Sequence, residues 1–180
     1  MLDRVELHLV QARAQAGATG IKLASIRQGD ARRLDTPANS ADAVLLLGPL
    51  CQLVDQKVRL AAFAEAKRFL RSRGILLTAS ISRFASLADG LSRGLFRHSE
   101  FREIVEADLK YGLHRNPTSR AEHLTTAYFH RPEELAAEVS SAGFDDVQIL
   151  AIEGPAWSAA GFRLTWNDGE HGMGVASRPV

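Results

Sequence analysis

The 180-residue chain lacks several features that would direct its partners or its compartment. It has a single cysteine, Cys51, which cannot form an internal disulfide. It has neither a recognisable export leader nor an apolar run near the roughly 20 residues that span a bilayer. Neither sign of charge dominates, because 22 basic side chains oppose 21 acidic ones. We therefore expect a cytoplasmic protein that acts on a small molecule and binds neither nucleic acid nor membrane.

Familiar catalytic and metal-binding patterns are missing as well. The histidines lack metal-ligand spacing with each other or with Cys51, so we predict no metal site. No Ser-His-Asp order or nucleophile elbow is present. Since we find no repeat, low-complexity tract or linker, and this length suits one domain with a core, we expect a single domain over residues 1–180.

What the chain does contain is an alternation of helical and strand patterns. Apolar spacing predicts helices over 2–16, capped at Gly17, and over 54–71. Strands are predicted over 21–28, 43–47 and 75–81. Residues 43–47 are apolar at every position, which is typical of an interior parallel strand covered on both faces. The order strand, helix, strand indicates a parallel crossover, so the fold class is α/β.

The pattern changes in the second half of the chain. Helices over 85–95 and 100–110 and a His-rich loop predict that residues 82–131 are an insertion over the sheet rather than part of it. A helix beginning at Pro132 and ending at Gly143, followed by a strand over 147–152, completes a second crossover. The tail, 154–180, is irregular, with 173–177 as a possible closing strand.

Three segments taken together resemble a known family, and they are GDARRLDTPANSADAVLLLGPL from Gly29, LRSRGILL from Leu70 and EELAAEVSSAGFDDVQIL from Glu133. Their order and spacing resemble the class I S-adenosylmethionine-dependent methyltransferases over about residues 2–152. The resemblance implies a Rossmann-like, mostly parallel sheet with a helical lid over 82–131. It also implies S-adenosylmethionine as cofactor.

The resemblance places the cofactor at the carboxyl ends of the strands. Gly29, Asp30 and Ala31 look like the turn that reads the adenine edge, with the carboxylate accepting from the amino group. Asp3 looks like the acidic residue that takes both ribose hydroxyls. Leu47 and Gly48 look like the strand end whose backbone meets the methionine part. The alternatives are a simple turn at Asp30, a helix cap at Asp3 and plain core at Leu47.

One family element has no counterpart, namely the first strand and its glycine-rich turn. That strand is normally central, so its loss leaves the edge of 43–47 without a hydrogen-bonding neighbour, and we expect only residues 1–3 of the second strand to remain. Unpaired edges promote association. The sequence therefore predicts an N-terminally truncated sheet that forms a homo-oligomer through this edge, or else a truncated product.

Methyl transfer needs alignment of the nucleophile and, for a protonated acceptor, a general base. The resemblance puts the acceptor lid at HRNP and AYFHRP, so His114, Tyr128 and His130 are the candidate catalytic residues. The simpler alternative is that each loop histidine is solvated and that Tyr128 packs. Two functions stay open, a methyltransferase impaired by the missing loop and an inactive fold that dimerises or binds a partner.

Overall fold

A computed structural model describes residues 1–152, and the predictions of an irregular tail over 154–180 and of a strand over 173–177 lie outside the described residues. The chain is an α/β protein that divides into two compact units. Of the described residues, the first unit contains 1–79 and 141–144, and the second contains 80–140 and 145–152.

The first unit begins with two short parallel strands flanking a helix. Strand β1 (Leu2–Asp3) pairs with β2 (Arg27–Gln28), and helix α1 (Glu6–Thr19) connects them. The predicted strand over 21–28 is thus only its last two residues. The predicted cap at Gly17 is wrong, since α1 continues one turn further and ends at Gly20, whose left-handed φ of 68° suits glycine.

The predicted crossover is confirmed. Strand β3 (Ala41–Leu47) pairs in parallel with β4 (Leu70–Ala79) through two helices, α2 (Pro49–Gln52) and α3 (Gln56–Phe69). Asp55 caps α3 by accepting a hydrogen bond from the backbone N–H of Lys57 at 2.8 Å. The buried residues of this helix include Ala62, Phe63 and Ala66.

The opposite face of the β3–β4 sheet is bare, contrary to the prediction that residues 43–47 are covered on both sides. In the parallel register Leu45 lies beside Leu77, and both side chains are exposed. Leu47 and Ile75 lie two residues along the same strands, therefore on the same face of the sheet, and they are exposed too. An all-apolar run shows that both faces are hydrophobic, but it does not supply a layer to cover each of them. Within residues 1–152, β3 pairs with β4 alone.

The second unit has a three-stranded sheet of its own, which corrects the expectation that 82–131 holds only helices and loop. Strand β5 (Ile81–Ser82) and strand β6 (Leu113–His114) both pair with β7 (Ala127–His130), in parallel and antiparallel respectively. Strands this short carry too few residues for a visible alternation. Helices α4 (Ala85–Arg93) and α5 (Ser99–Tyr111) confirm the two predicted there.

Helix α6 (Pro132–Ser141) begins at the predicted proline. The strand predicted over 147–152 is wrong, because these residues form no regular secondary structure and pair with no strand of residues 1–152, and Ile152 is 88% exposed. An apolar alternation favours a strand only where a neighbouring edge is available to it. No helix among residues 1–152 is long and apolar enough to cross a membrane. The cytoplasmic location stays a prediction.

Candidate functional site

Two carboxylates come together at one edge of the first unit. Strands β1 and β2 are parallel and in register, with Asp3 opposite Gln28. The backbone N–H of Gly29 then donates to the Asp3 carbonyl at 3.0 Å, which extends the pairing by one step. Asp3 and Asp30 therefore both leave the carboxyl ends of adjacent parallel strands, the edge at which open α/β sheets bind ligands. The structure brings these two predicted residues together.

Gly29 fits this edge because a larger residue would not. A Cβ built at this position would lie 2.9 Å from Cδ2 of Leu2, so any side chain would displace the neighbouring strand. The glycine keeps β1 close to the turn that carries Asp30. Within residues 1–152 the N–H of Ala31 makes no hydrogen bond, which leaves one backbone donor beside the carboxylate.

The Asp30 carboxylate is held mainly by Arg32. Its Oδ1 accepts from the backbone N–H of Arg32 at 2.9 Å and from Nε at 2.8 Å, while Oδ2 accepts from Nη2 at 2.5 Å. The Nε of Arg4 lies 3.8 Å from Oδ2. The Arg32 hydrogen bond, opposed by burial, lowers the pKa of Asp30 from 3.8 to about 2. This acceptor is fully ionised at neutral pH.

The Asp3 carboxylate is more local in its contacts. One oxygen accepts from the backbone N–H of Val5 at 2.8 Å, and the other lies 3.1 Å from Nδ1 of His8. The Val5 hydrogen bond is the main cause that lowers the pKa of Asp3. Asp3 thus holds the chain just before α1 but does not cap the helix as the capping alternative expected, since the N-cap residue is Val5. The Asp3 side chain is still part exposed at the strand end.

Leu47 and Gly48 end strand β3 in the same unit. Gly48 has φ 107° and ψ −37°, a conformation that glycine adopts without strain, and it turns the chain directly into Pro49 of α2. The Cys51 thiol donates to the Gly48 carbonyl at 3.0 Å. The predicted role of this turn depends on backbone geometry, and its side chains add no charge.

The three candidate catalytic residues all lie in the second unit, where His114 is fully buried. Its Nδ1 lies 2.7 Å from Oδ2 of Asp108, and its Nε2 donates to the carbonyl of His123 at 2.8 Å. Ser86 donates to the same Asp108 oxygen at 2.6 Å. His114 therefore has no free nitrogen in this arrangement, and it is neither the loop base nor the solvated loop residue that the sequence offered as alternatives.

The protonation state of His114 follows from these partners. Both partners are acceptors, which favours a proton on each ring nitrogen. Burial acts against the charged form, but the hydrogen bond and charge of Asp108 outweigh it, so the pKa of His114 is raised. The ring also stacks on Phe129, with centroids 5.0 Å apart. We interpret Ser86, Asp108 and His114 as a buried polar cluster that stabilises the second unit.

His130 and Tyr128 alternate on strand β7. His130 is buried, with Nε2 3.3 Å from Oε2 of Glu138. Tyr128 is part exposed, and its hydroxyl lies 3.3 Å from Oε2 of Glu134. The same Glu134 oxygen pairs with the buried guanidinium of Arg83 at 2.5 Å. Of the three candidates, only Tyr128 presents part of its side chain to solvent.

Sequence reasoning missed two residues that shape these sites. Arg32 holds Asp30, and its signal was available, since a base two residues after an acid in a turn can fold back onto it. Asp108 carried no such signal. It sits in a helix that reads as an ordinary amphipathic one, and only the tertiary structure places its carboxylate against His114.

Comparisons with known proteins found methyltransferases. A family model described as a methyltransferase domain matches residues 1–74. A SAM-dependent methyltransferase from Methanosarcina mazei has a similar structure, with a TM-score of 0.60 and 18% identity over 85% of this chain and 74% of that one. A SAM-dependent methyltransferase from Thermotoga maritima, described as a possible histamine N-methyltransferase, has a TM-score of 0.53 and 22% identity. That match covers 86% of this chain and 59% of the Thermotoga protein. No curated protein sequence matches significantly.

The α/β fold that the resemblance implied is therefore confirmed, and the likeness to a methyltransferase domain is shown for residues 1–74. Residues 1–74 have the pattern of a methyltransferase domain, and the chain has the fold of the SAM-dependent enzymes. The match spans β1, β2 and β3, so it includes every residue predicted to hold the cofactor. The chain covers less than two thirds of the Thermotoga protein.

Proposed function

We propose that the chain binds S-adenosylmethionine and transfers its methyl group to a small-molecule acceptor. The observation that carries the proposal is the pair of ionised carboxylates, Asp3 and Asp30, at the ends of adjacent parallel strands. When bound, the cofactor supplies an electrophilic methyl group on a sulfonium. The protein then has to orient that group and exclude water from it.

Each residue has a distinct role in this proposal. Asp30 accepts from the adenine amino group, and the adjacent Ala31 N–H donates to a ring nitrogen. Asp3 accepts from the ribose hydroxyls, for which its part-exposed side chain is available. The turn at Leu47 and Gly48 offers backbone groups to the methionine part. These residues fit the cofactor because the nucleoside needs acceptors and one donor at this edge.

Of the three candidate catalytic residues, we retain Tyr128 as a proposal. Its hydroxyl is held by Glu134, and the Arg83 guanidinium lies 5.8 Å from its ring centroid. His130 packs edge-on against Tyr128 at 4.7 Å and positions it. His114 belongs to the buried cluster, so a base role there would require the second unit to open.

Calorimetry with S-adenosylhomocysteine tests the cofactor half. We expect micromolar binding by the wild type and a loss of about 10- to 100-fold in Asp30→Ala, because a hydrogen bond to a charged group contributes about 1.5 to 3 kcal/mol. Asp35→Ala is the matched control, since no ion pair of this nearby loop carboxylate is seen within residues 1–152. Absence of binding at millimolar ligand would contradict the proposal.

The second candidate function is a dimerising module without activity. It is favoured by the apolar face of the β3–β4 sheet, made of Leu45, Leu47, Ile75 and Leu77, and by the free edge of β3 within the described residues. We propose that a second copy pairs along this edge, since edge strands and exposed apolar faces both promote association.

Light scattering after size exclusion tests this pairing. Leu45→Lys places a charge on the sheet face and should convert a dimer into a monomer. Leu7→Lys is the control, because Leu7 is as exposed as Leu45, at 62% against 64%, but lies on helix α1. A wild type that is monomeric at high concentration would exclude the dimer. The result of the light-scattering experiment is independent of the result for S-adenosylhomocysteine binding.

A further inference from the structure

We propose that Arg32 is a competing ligand of Asp30, which lowers the affinity of the site for nucleosides and makes that affinity depend on ionic strength. The inference rests on the proposed function, because it assumes that Asp30 accepts from adenine. It adds a dependence of affinity on ionic strength, which the carboxylate alone would not have. A residue two positions along the chain occupies the acceptor that the ligand needs.

The occupancy of the carboxylate is nearly complete. Oδ1 accepts two hydrogen bonds, from the backbone N–H and from Nε of Arg32, which uses both of its lone pairs. Oδ2 accepts one, from Nη2 at 2.5 Å. One lone pair therefore remains, on the oxygen that faces Arg4 at 3.8 Å. An adenine amino group has to take this last position or displace the guanidinium.

The guanidinium can leave at modest cost. The Arg32 side chain is 40% exposed and the Asp30 side chain is 29% exposed. Pairs this exposed contribute about 0.2 to 1 kcal/mol, because water and salt screen them. The contact is thus a reversible gate. The backbone N–H of Arg32 still holds Oδ1 after the side chain swings away, so the carboxylate keeps its orientation.

Arg4 does not replace Arg32 in this role. Its Nε is 3.8 Å from Oδ2, beyond hydrogen-bond range, and its side chain is largely exposed. It adds a favourable charge that keeps Asp30 ionised, and it leaves the acceptor position open. The forked contact of Arg32 engages both carboxylate oxygens and leaves a second donor a single lone pair, on Oδ2.

Salt distinguishes a competing cation from a structural one. Added salt screens the attraction between two full charges more than the hydrogen bond of a neutral amino group. Raising the ionic strength therefore frees Asp30 while leaving the adenine contact nearly intact. The site should bind S-adenosylhomocysteine, which has no net charge, more tightly at high salt than at low salt.

The experiment compares wild type, Arg32→Met and Arg33→Met by calorimetry with S-adenosylhomocysteine at about 0.05 M and about 0.5 M NaCl. Arg32→Met keeps the side-chain length and removes the charge, so it should bind about 3- to 5-fold tighter at low salt and lose the salt effect. At high salt the affinity of the wild type for S-adenosylhomocysteine should approach that of Arg32→Met. Arg33→Met is the matched control, since only its backbone N–H reaches Asp30, at 3.0 Å.

Each result has one interpretation. Equal affinity of Arg32→Met and wild type at low salt would overturn the gate, and weaker binding by the variant would show that Arg32 holds the ligand instead. In both cases binding that is still abolished by Asp30→Ala would leave the proposed function standing. If none of these proteins binds, the proposed function fails and the gate fails with it. Thermal unfolding of each variant confirms that the fold is retained.

Discussion

The ion pairs singled out in the two compact units differ in their exposure to solvent. In the first unit the carboxylates of Asp3 and Asp30 stand part exposed at strand ends, paired with side chains that solvent reaches. In the second unit Asp108 and His114 are buried and paired with each other. Exposed pairs can exchange partners cheaply, whereas a buried charge that loses its partner costs several kcal/mol. The strand-end carboxylates of the first unit can therefore exchange partners cheaply, whereas the Asp108–His114 pair of the second unit cannot.

Their apolar surfaces differ in the same way. The β3–β4 sheet leaves one face bare, with leucines in register at Leu45 and Leu77. In the second unit Leu95, Phe101 and Val105 form a closed cluster, and Phe96 packs edge-on against Phe101 at 5.7 Å. The contrast shows that equal hydrophobicity in a sequence does not imply equal burial. Four substitutions test the comparison of the two units in charge and in apolar burial, from the largest expected effect to the smallest.

Asp108→Asn should have the largest effect. Removing one member of a buried ion pair leaves the other uncompensated, so we expect a loss of about 3 to 5 kcal/mol in the free energy of unfolding. Because the pKa of His114 is raised in the folded state, the stabilisation is fully present below 6.5 and is lost as the pH rises through the folded pKa. The difference between the variant and wild type should be larger at about pH 5.5 than at about pH 9.

Urea unfolding followed by circular dichroism measures both quantities. Asp89→Asn is the control, because Asp89 pairs with Arg93 one turn along α4 on the surface. We expect that variant to change stability by less than about 0.5 kcal/mol at either pH. If the difference in the free energy of unfolding between Asp108→Asn and wild type did not vary with pH, His114 would be neutral in the folded protein. That result would contradict the ion pair.

Two glycine substitutions should have opposite signs. A Cβ at Gly90 in α4 would clash with the Phe101 ring and lie 2.8 Å from the ring of Phe96. Gly90→Ala should therefore destabilise the protein by about 1 to 3 kcal/mol, despite the better helix propensity of alanine. A Cβ at Gly17 in α1 meets nothing within 4 Å, so Gly17→Ala should stabilise by about 0.5 to 1 kcal/mol.

Thermal unfolding of the two alanine variants checks this pair. The opposite signs would show that the cluster around Phe101 is closely packed and that α1 has free space at Gly17. A stabilising Gly90→Ala would mean that the Phe101 and Phe96 rings can move aside, and the picture of a closed second unit would need revision.

Leu77→Thr should have the smallest effect. Its side chain is exposed on the bare sheet face, so we expect a change within about 0.5 kcal/mol in dilute protein. Phe63→Ala, on the buried face of α3, is the reference and should cost about 3 to 5 kcal/mol. If Leu77→Thr also cost about 2 kcal/mol or more, the sheet face would be covered by another molecule in solution. The unfolding midpoint of the wild type would then fall on dilution, because association contributes to its stability.

Much of the fold could be predicted from local pattern. The crossover from β3 through α3 to β4 follows from an apolar run, an amphipathic helix and a second apolar run, and each of these is a property of neighbouring residues. The strand expected over 147–152 failed, since a strand also requires an edge to pair with. Strands β6 and β7 were missed for the converse reason, because a suitable edge makes strands of only two and four residues stable.

The candidate site divides along the same line. Asp3, Gly29 and Asp30 were predicted from the resemblance to a family rather than from local pattern, and their role as a cofactor site stays a prediction. The register of β1 with β2 places Asp3 and Asp30 at adjacent strand ends. Arg32 could have been suspected from its position. The burial of His114 could not, because it depends on Asp108 and Phe129, which the fold brings in from a helix and a distant strand.

The sequence by itself determined the α/β class and the crossover, since both depend on periodicity and on residues close together in the chain. The tertiary structure alone decided which apolar face is covered and which charges are buried. Solvent access is a property of layers, and layers are made by segments that the sequence does not place side by side.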